Sequence, residues 1–248
     1  MMEEYFDLVR KVVYEYVPDI ISSIKSNQVA RETLKSIFDL LADVVEIVNI
    51  EIPRSYKDEE IIRLCTPSTL TMVVRPAMDQ LLATYIVGAY PLCYQPIRIS
   101  TEALAYSLYV DLSTPSSDNQ IFFEKLLKFQ EDLDSKQIRS FSKLIKDHLA
   151  NIIGKELSDK MIKIWGKTSN DFLHFKGYLD KVSRWESNNL PSSDVPPSFL
   201  VGAFVEYSDA DEPHLNELRN VVEEFRELIK ETWRFWKNWY ASARTSLL

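Results

Sequence analysis

Apolar residues recur at three- and four-residue intervals along most of this chain, the spacing of amphipathic helices rather than strands. Residues 5–26 place Leu8, Val9, Val12, Val13, Tyr16 and Val17 at helical spacing, and Pro18 is expected to kink or split that helix. Asn27 then caps a second helix, from 28 to about 49, striped by Val29, Leu34, Ile37, Leu41, Val44, Val45 and Val48. The two are expected to close as an antiparallel hairpin. Residues 51–67, with Pro53 and the run Lys57-Asp58-Glu59-Glu60, read as a connection holding at most one short helix. Residues 68–90, perturbed at Pro76, and 95–112, opened by Pro96, are apolar on most sides and form the expected core pair.

After a linker at 113–118 come two amphipathic helices, 119–133 and 135 to about 155. Ser158 reads as the cap of a long helix reaching about Trp185. Residues 187–197 carry three prolines and no periodicity, so an exposed loop is expected there. Residues 199–207 read as a short strand or an extended run. The last helix, 213–244, sets Leu215, Leu218, Val222, Phe225, Ile229, Trp236 and Trp239 at a and d spacing, with Thr232 breaking the set. That seam suits either packing on its own domain or a homodimer. Glu223, Glu224, Glu227 and Glu231 crowd the same helix and place self-packing first.

Composition agrees with helices. The 248 residues include only 5 glycines, too few for the turns of a sheet-rich chain, so a single all-α domain of about seven or eight helices is expected. Hydrophobic residues make up 46% and charged residues 27%, a globular balance. The net charge of -8 opposes broad attraction to nucleic acid or anionic membrane. The acidic start, Met1 to Asp7, lacks the zones of a signal peptide, and the most apolar run, 81–92, is shorter than the roughly 20 residues of a spanning helix. A cytoplasmic protein without a membrane partner is expected, with Cys65 and Cys93 as free thiols.

Two polar rows interrupt otherwise apolar helices. Arg98 and Glu102 stand one turn apart, with Tyr106 continuing the row, and charge inside a buried helix needs partners. On the later helix, Thr168 and Asp171 fall among Met161, Ile164, Phe175, Tyr178 and Val182, flanked by Ser169, Asn170 and His174. The rows are expected to meet, forming either a structural network or the wall of a small-ligand cleft. Gly166-Lys167-Thr168 is no phosphate loop, because Met161 stands where an earlier glycine is required. Asp171 and His174 have the i,i+3 spacing of bundle metal ligands, and so do Asp211 and His214 in the turn at Pro213, but no second Glu-x-x-His exists. No metal or other cofactor is assigned. His148 borders an apolar face, and the string Trp233 to Tyr240 interleaves aromatics with cations, which suits aromatic anchors against the domain or a partner first, and a membrane-interface helix or a base-stacking surface after that.

Arg98, Glu102, Ser169, Asn170 and His174, an Arg and Glu one turn apart followed by a Ser/Asn segment ending in His, resemble the helical bundles of the HEPN superfamily. Nuclease members carry Arg, four to six residues, then His; here Lys167 stands at that distance from His174 in place of Arg. The resemblance implies an RNase in which His174 acts as general acid or base and Arg98 or Lys167 stabilises phosphate charge. Nucleic acid is a partner only under that reading. The leading expectation is a helical binding or interaction protein; a carboxylate–histidine metal protein is the third.

Overall fold

The computed structural model describes residues 10–113, 121–135, 140–170 and 206–245. These form nine helices and no strand: α1 (10–26), α2 (28–55), α3 (Asp58–Ile61), α4 (65–86), α5 (Tyr94–Ser113), α6 (Phe122–Ser135), α7 (141–153), α8 (Lys155–Asn170) and α9 (Glu212–Thr245). The expected loop at 187–197, and most of the expected extended run before Tyr207, lie outside the described residues.

Proline did not divide the helices as its lost N–H suggests. Pro18, Pro53 and Pro76 each lie inside a continuous helix, two residues after a π-helical turn at Val12–Tyr16, Ile47–Glu51 and Leu70–Val74. The ring of an interior proline collides with the carbonyl four residues back, and a widened turn relieves that crowding. The Ile52 and Arg75 amides donate five residues back, to the carbonyls of Ile47 and Leu70. So the expected connection at 51–67 is instead the end of α2, the one-turn α3 and the start of α4. Glycine does interrupt the chain: Gly154, with φ at 84°, separates α7 from α8. Ser158 is therefore no cap; it is buried within α8, its hydroxyl donating to the Gly154 carbonyl at 2.6 Å.

Helix α9 packs along α2 on one side and α8 on another, and also against α5. Three neighbours demand a wide apolar surface, so Val221, Leu228 and Trp233 are buried beside the expected seam of Leu215, Leu218, Val222, Phe225, Ile229 and Trp236. The seam is used up within the chain. Trp236 is fully buried, whereas Trp239 is half-buried at the edge of the core.

Charge fixes how α9 is rotated. Its bases face α2: Arg219 pairs with Glu32, Arg226 with Asp43, and Lys237 with Glu51. Its acids face α8: Glu231 takes Lys160 at 2.5 Å, and Glu224 takes Lys163 at 2.8 Å and Lys167 at 3.0 Å. Half-turn rotation would set lysine against base and acid against acid. Burial raises the Glu51 and Glu224 carboxyls, but hydrogen bonds from Lys237 and Trp233, and from Lys163 and Lys167, outweigh it and hold both below the usual carboxylate range. A carboxylate depressed by folding contributes stability above its unfolded pKa and loses it as the pH falls through the folded one. Chemical denaturation from about pH 6 to about pH 3 should therefore show an acid loss that E51Q/E224Q reduces. An unchanged acid limb in that variant would exclude these pairs as its source.

Candidate functional site

Helix α5 carries three charged residues, Arg98, Glu102 and Asp111, and the fold divides them between two places. The helix begins at Tyr94, after a 3-10 turn over Tyr90–Cys93, so Arg98 stands inside it and the Arg98–Glu102–Tyr106 row is intact. Asp111 points away from that row into the core.

The row is not buried as expected. The Arg98 and Glu102 side chains retain 25% and 28% of their exposure, which makes theirs a screened pair rather than a core ion pair. Arg98 Nε donates to Glu102 Oε1 at 3.2 Å, and the guanidinium lies 5.5 Å from the Trp165 ring centroid. Trp165 Nε1 donates to the same Oε1 at 2.7 Å. The indole's neighbour is Phe141, stacked at 5.2 Å and 19°. Tyr106 packs on Phe141 and Phe129, and Tyr109 continues the line with Phe129 and His148. Burial, then the Glu102 charge, pushes the Tyr106 phenol upward. His148 sits in a fourth π-helical turn among the described residues, Ile145–Leu149, which has no proline to require it.

The second row behaves differently from its expectation. Thr168 and Ser169 are buried, and their own helix satisfies them: Thr168 Oγ1 donates to the Ile164 carbonyl at 2.9 Å and Ser169 Oγ to that of Trp165 at 2.5 Å. Neither needs Arg98. Lys167 turns to Glu224 on α9, two residues and about 200° around α8 from Trp165, so it does not join Arg98. What bridges α8 to the row is Trp165. Asp171 and His174 lie outside the described residues.

Asp111 is the buried charge the row logic did not single out. Its carboxylate accepts the Cys65 and Thr66 amides and Trp236 Nε1, each at 2.8 Å. Leu64 precedes α4 and makes no side-chain cap, so Asp111 caps that helix from α5. Burial raises its carboxyl, opposed by the N–H groups of Thr66, Cys65 and Trp236. The signal available in sequence was an acid off the Arg98 row in an apolar helix. The site is closed: Asp111 retains 6% of its exposure. Burial also pushes the Cys65 and Cys93 thiols far up, leaving neither as a thiolate nucleophile.

Asp211, the other i,i+3 candidate, is buried and accepts from Tyr90 Oη at 3.1 Å and from the Ser208 amide and hydroxyl at 2.9 Å each. It shapes the turn into α9. Among the described residues no three His, Cys, Asp or Glu side chains gather as a metal site, and no helix is long and apolar enough to cross a membrane. Comparison of the chain with protein-family models, with curated proteins and with solved structures finds no match, so the case for function rests on the Arg98 row itself.

Proposed function

We propose that this is a cytoplasmic helical binding protein whose ligand meets the half-exposed edge of the Arg98–Glu102–Tyr106 row beside Trp165. The observation that carries the reading is the Arg98 guanidinium. Its Nε is tied to Glu102 and its plane is set near Trp165, while Nη1 and Nη2 make no hydrogen bond among the described residues. A guanidinium fork held in place this way suits a small carboxylate or phosphate, and the Tyr106 hydroxyl, without a hydrogen-bond partner among the described residues, adds a donor nearby.

The test is a titration of tryptophan emission, with single-tryptophan controls for Trp165, against simple carboxylates, inorganic phosphate, mononucleotides and single-stranded RNA. Arg98→Ala should remain folded, losing about 1 kcal/mol or less because its ion pair is screened, yet lose the response. Arg98→Lys should keep the charge without the fork and recover only part of it. Binding unaffected by Arg98→Ala would overturn the reading, as would no response to any of these compounds.

A second reading is the HEPN-type RNase. It is favoured by Trp165, which ties Arg98 to α8, the helix that leads toward His174 in sequence. With Lys167 engaged by Glu224, phosphate stabilisation in this reading falls to Arg98. RNA cleavage abolished by His174→Ala supports it; cleavage that persists in that variant traces to a contaminant or to other residues.

A further inference from the structure

Helices α2 and α9 lie side by side, and toward the C-terminal half of α9 a cleft of about 170 Å³ opens between them. Each wall carries three charges: Asp43, Glu46 and Glu51 on α2, and Lys230, Arg234 and Lys237 on α9. Ile47 and Trp233, both almost fully buried, supply the apolar part. The π turn Ile47–Glu51 forms one end of the α2 wall, its first and last residues both lining the cleft. Turns of this kind recur where a helix carries a functional site.

Four of these charges are engaged by the fold. Glu51 takes Lys237 and the Trp233 indole N–H. Asp43 takes Arg226, with Lys230 at 3.7 Å, and Lys230 also holds Glu227. Trp233 is fixed in turn, stacked on Trp236 at 5.3 Å and 10° and met edge-on by Tyr56. Glu46 and Arg234 are left over. Both are exposed, and neither side chain has an ion-pair or hydrogen-bond partner among the described residues. They line the same cleft from opposite walls without pairing with each other.

A lone anion at Arg234 would leave Glu46 facing it, and a lone cation at Glu46 would leave Arg234. A molecule with one charge of each sign, set close together, satisfies both walls at once. Size narrows the choice. An engineered cavity of about 150 Å³ takes benzene, so this one takes roughly six to ten non-hydrogen atoms, too few for a nucleotide. Ile47 and Trp233 suit a short aliphatic group. We infer that the α2–α9 cleft binds a small zwitterion, an aliphatic amino acid whose ammonium meets Glu46 and whose carboxylate meets Arg234. It is independent of the Arg98 site, which is built on α5 and α8.

NMR of the indole N–H groups tests it, the Trp233 signal being identified by its absence in Trp233→Phe. Valine should shift that signal over a range of about 0.1–10 mM, because its charge pairs form in contact with solvent and are weak. The analogues 3-methylbutanoate, which lacks the ammonium, and isobutylamine, which lacks the carboxylate, should each bind about tenfold more weakly. Glu46→Gln should lose the preference for valine over 3-methylbutanoate, and Arg234→Gln the preference over isobutylamine. Both residues are exposed, so the Tm of these variants should match the wild type. Arg98→Ala should leave the valine shift unchanged. A Trp233 signal unmoved by valine at about 10 mM would overturn the inference. So would analogues that bind as well as valine, or variants that keep its preferences. A valine response lost in Arg98→Ala would overturn it too, by assigning the ligand to that site.

Discussion

Replacing Asp111 with alanine is expected to destabilise the protein by roughly 3–5 kcal/mol, read as a shift of the urea midpoint. The carboxylate is the shared acceptor for the Cys65 and Thr66 amides and the Trp236 indole. Its removal strands three buried donors at once, each worth roughly 1–3 kcal/mol when left unmade, and the losses overlap because the donors share one acceptor. Asp111→Asn should fall between, since an amide offers one acceptor oxygen but presents its own N–H groups to a donor-lined site. Trp236→Phe removes only the indole donor, and its effect should shrink in the Asp111→Ala background. A loss below about 1 kcal/mol for Asp111→Ala would show that the pocket relaxes around the deletion and that the node is dispensable.

The second large effect lies at Tyr207, where the chain approaches α9. Its ring stacks on Tyr85 at 5.0 Å and packs beside Tyr90. Its hydroxyl donates to the Tyr85 carbonyl at 2.7 Å, and its amide donates to Ser23 Oγ at 2.9 Å. Tyr85 in turn donates to the Ala30 carbonyl, so the ring closes a join among α1, α2 and α4. Tyr207→Ala should destabilise by about 3–5 kcal/mol, the range for emptying a large aromatic site. Tyr207→Phe keeps the stacking and should lose about 1 kcal/mol, for one buried hydrogen bond. Equal losses in the two variants would mean that the hydroxyl, not the ring, holds the join.

The helices were legible because periodicity reports directly on which side of a segment meets the core. The α9 seam and the positions of Met161, Ile164 and Thr168 were read that way. Boundaries at proline were not, because the loss of one N–H is visible in a sequence while the widened turn that accommodates it is not. Ser158 misled for a related reason: its side chain is suited to a cap, but Gly154 had already ended the previous helix. At the candidate site the Arg98–Glu102–Tyr106 row was evident from spacing. Its partner was not, since Trp165 reads as one more apolar residue until its N–H is seen on Glu102. The hydroxyls of Thr168 and Ser169 suggested a need for outside partners that their own helix meets. Asp111 stayed hidden because its partners are two main-chain amides, which no residue identity reveals.

The pairing of prolines with π turns bears on how this chain tolerates gain and loss of residues. A turn closed five residues back contains one residue more than a regular turn, so α1, α2 and α4 each carry a local surplus of one beside a proline. The surplus re-phases the helix, so the face presented after the turn is rotated by about 100° from a regular continuation. Trimming one residue from such a turn would restore a regular pitch and return the crowding of proline against the preceding carbonyl. The proline and the surplus residue thus form a coupled pair of characters, and a descendant that sheds one is relieved by shedding the other.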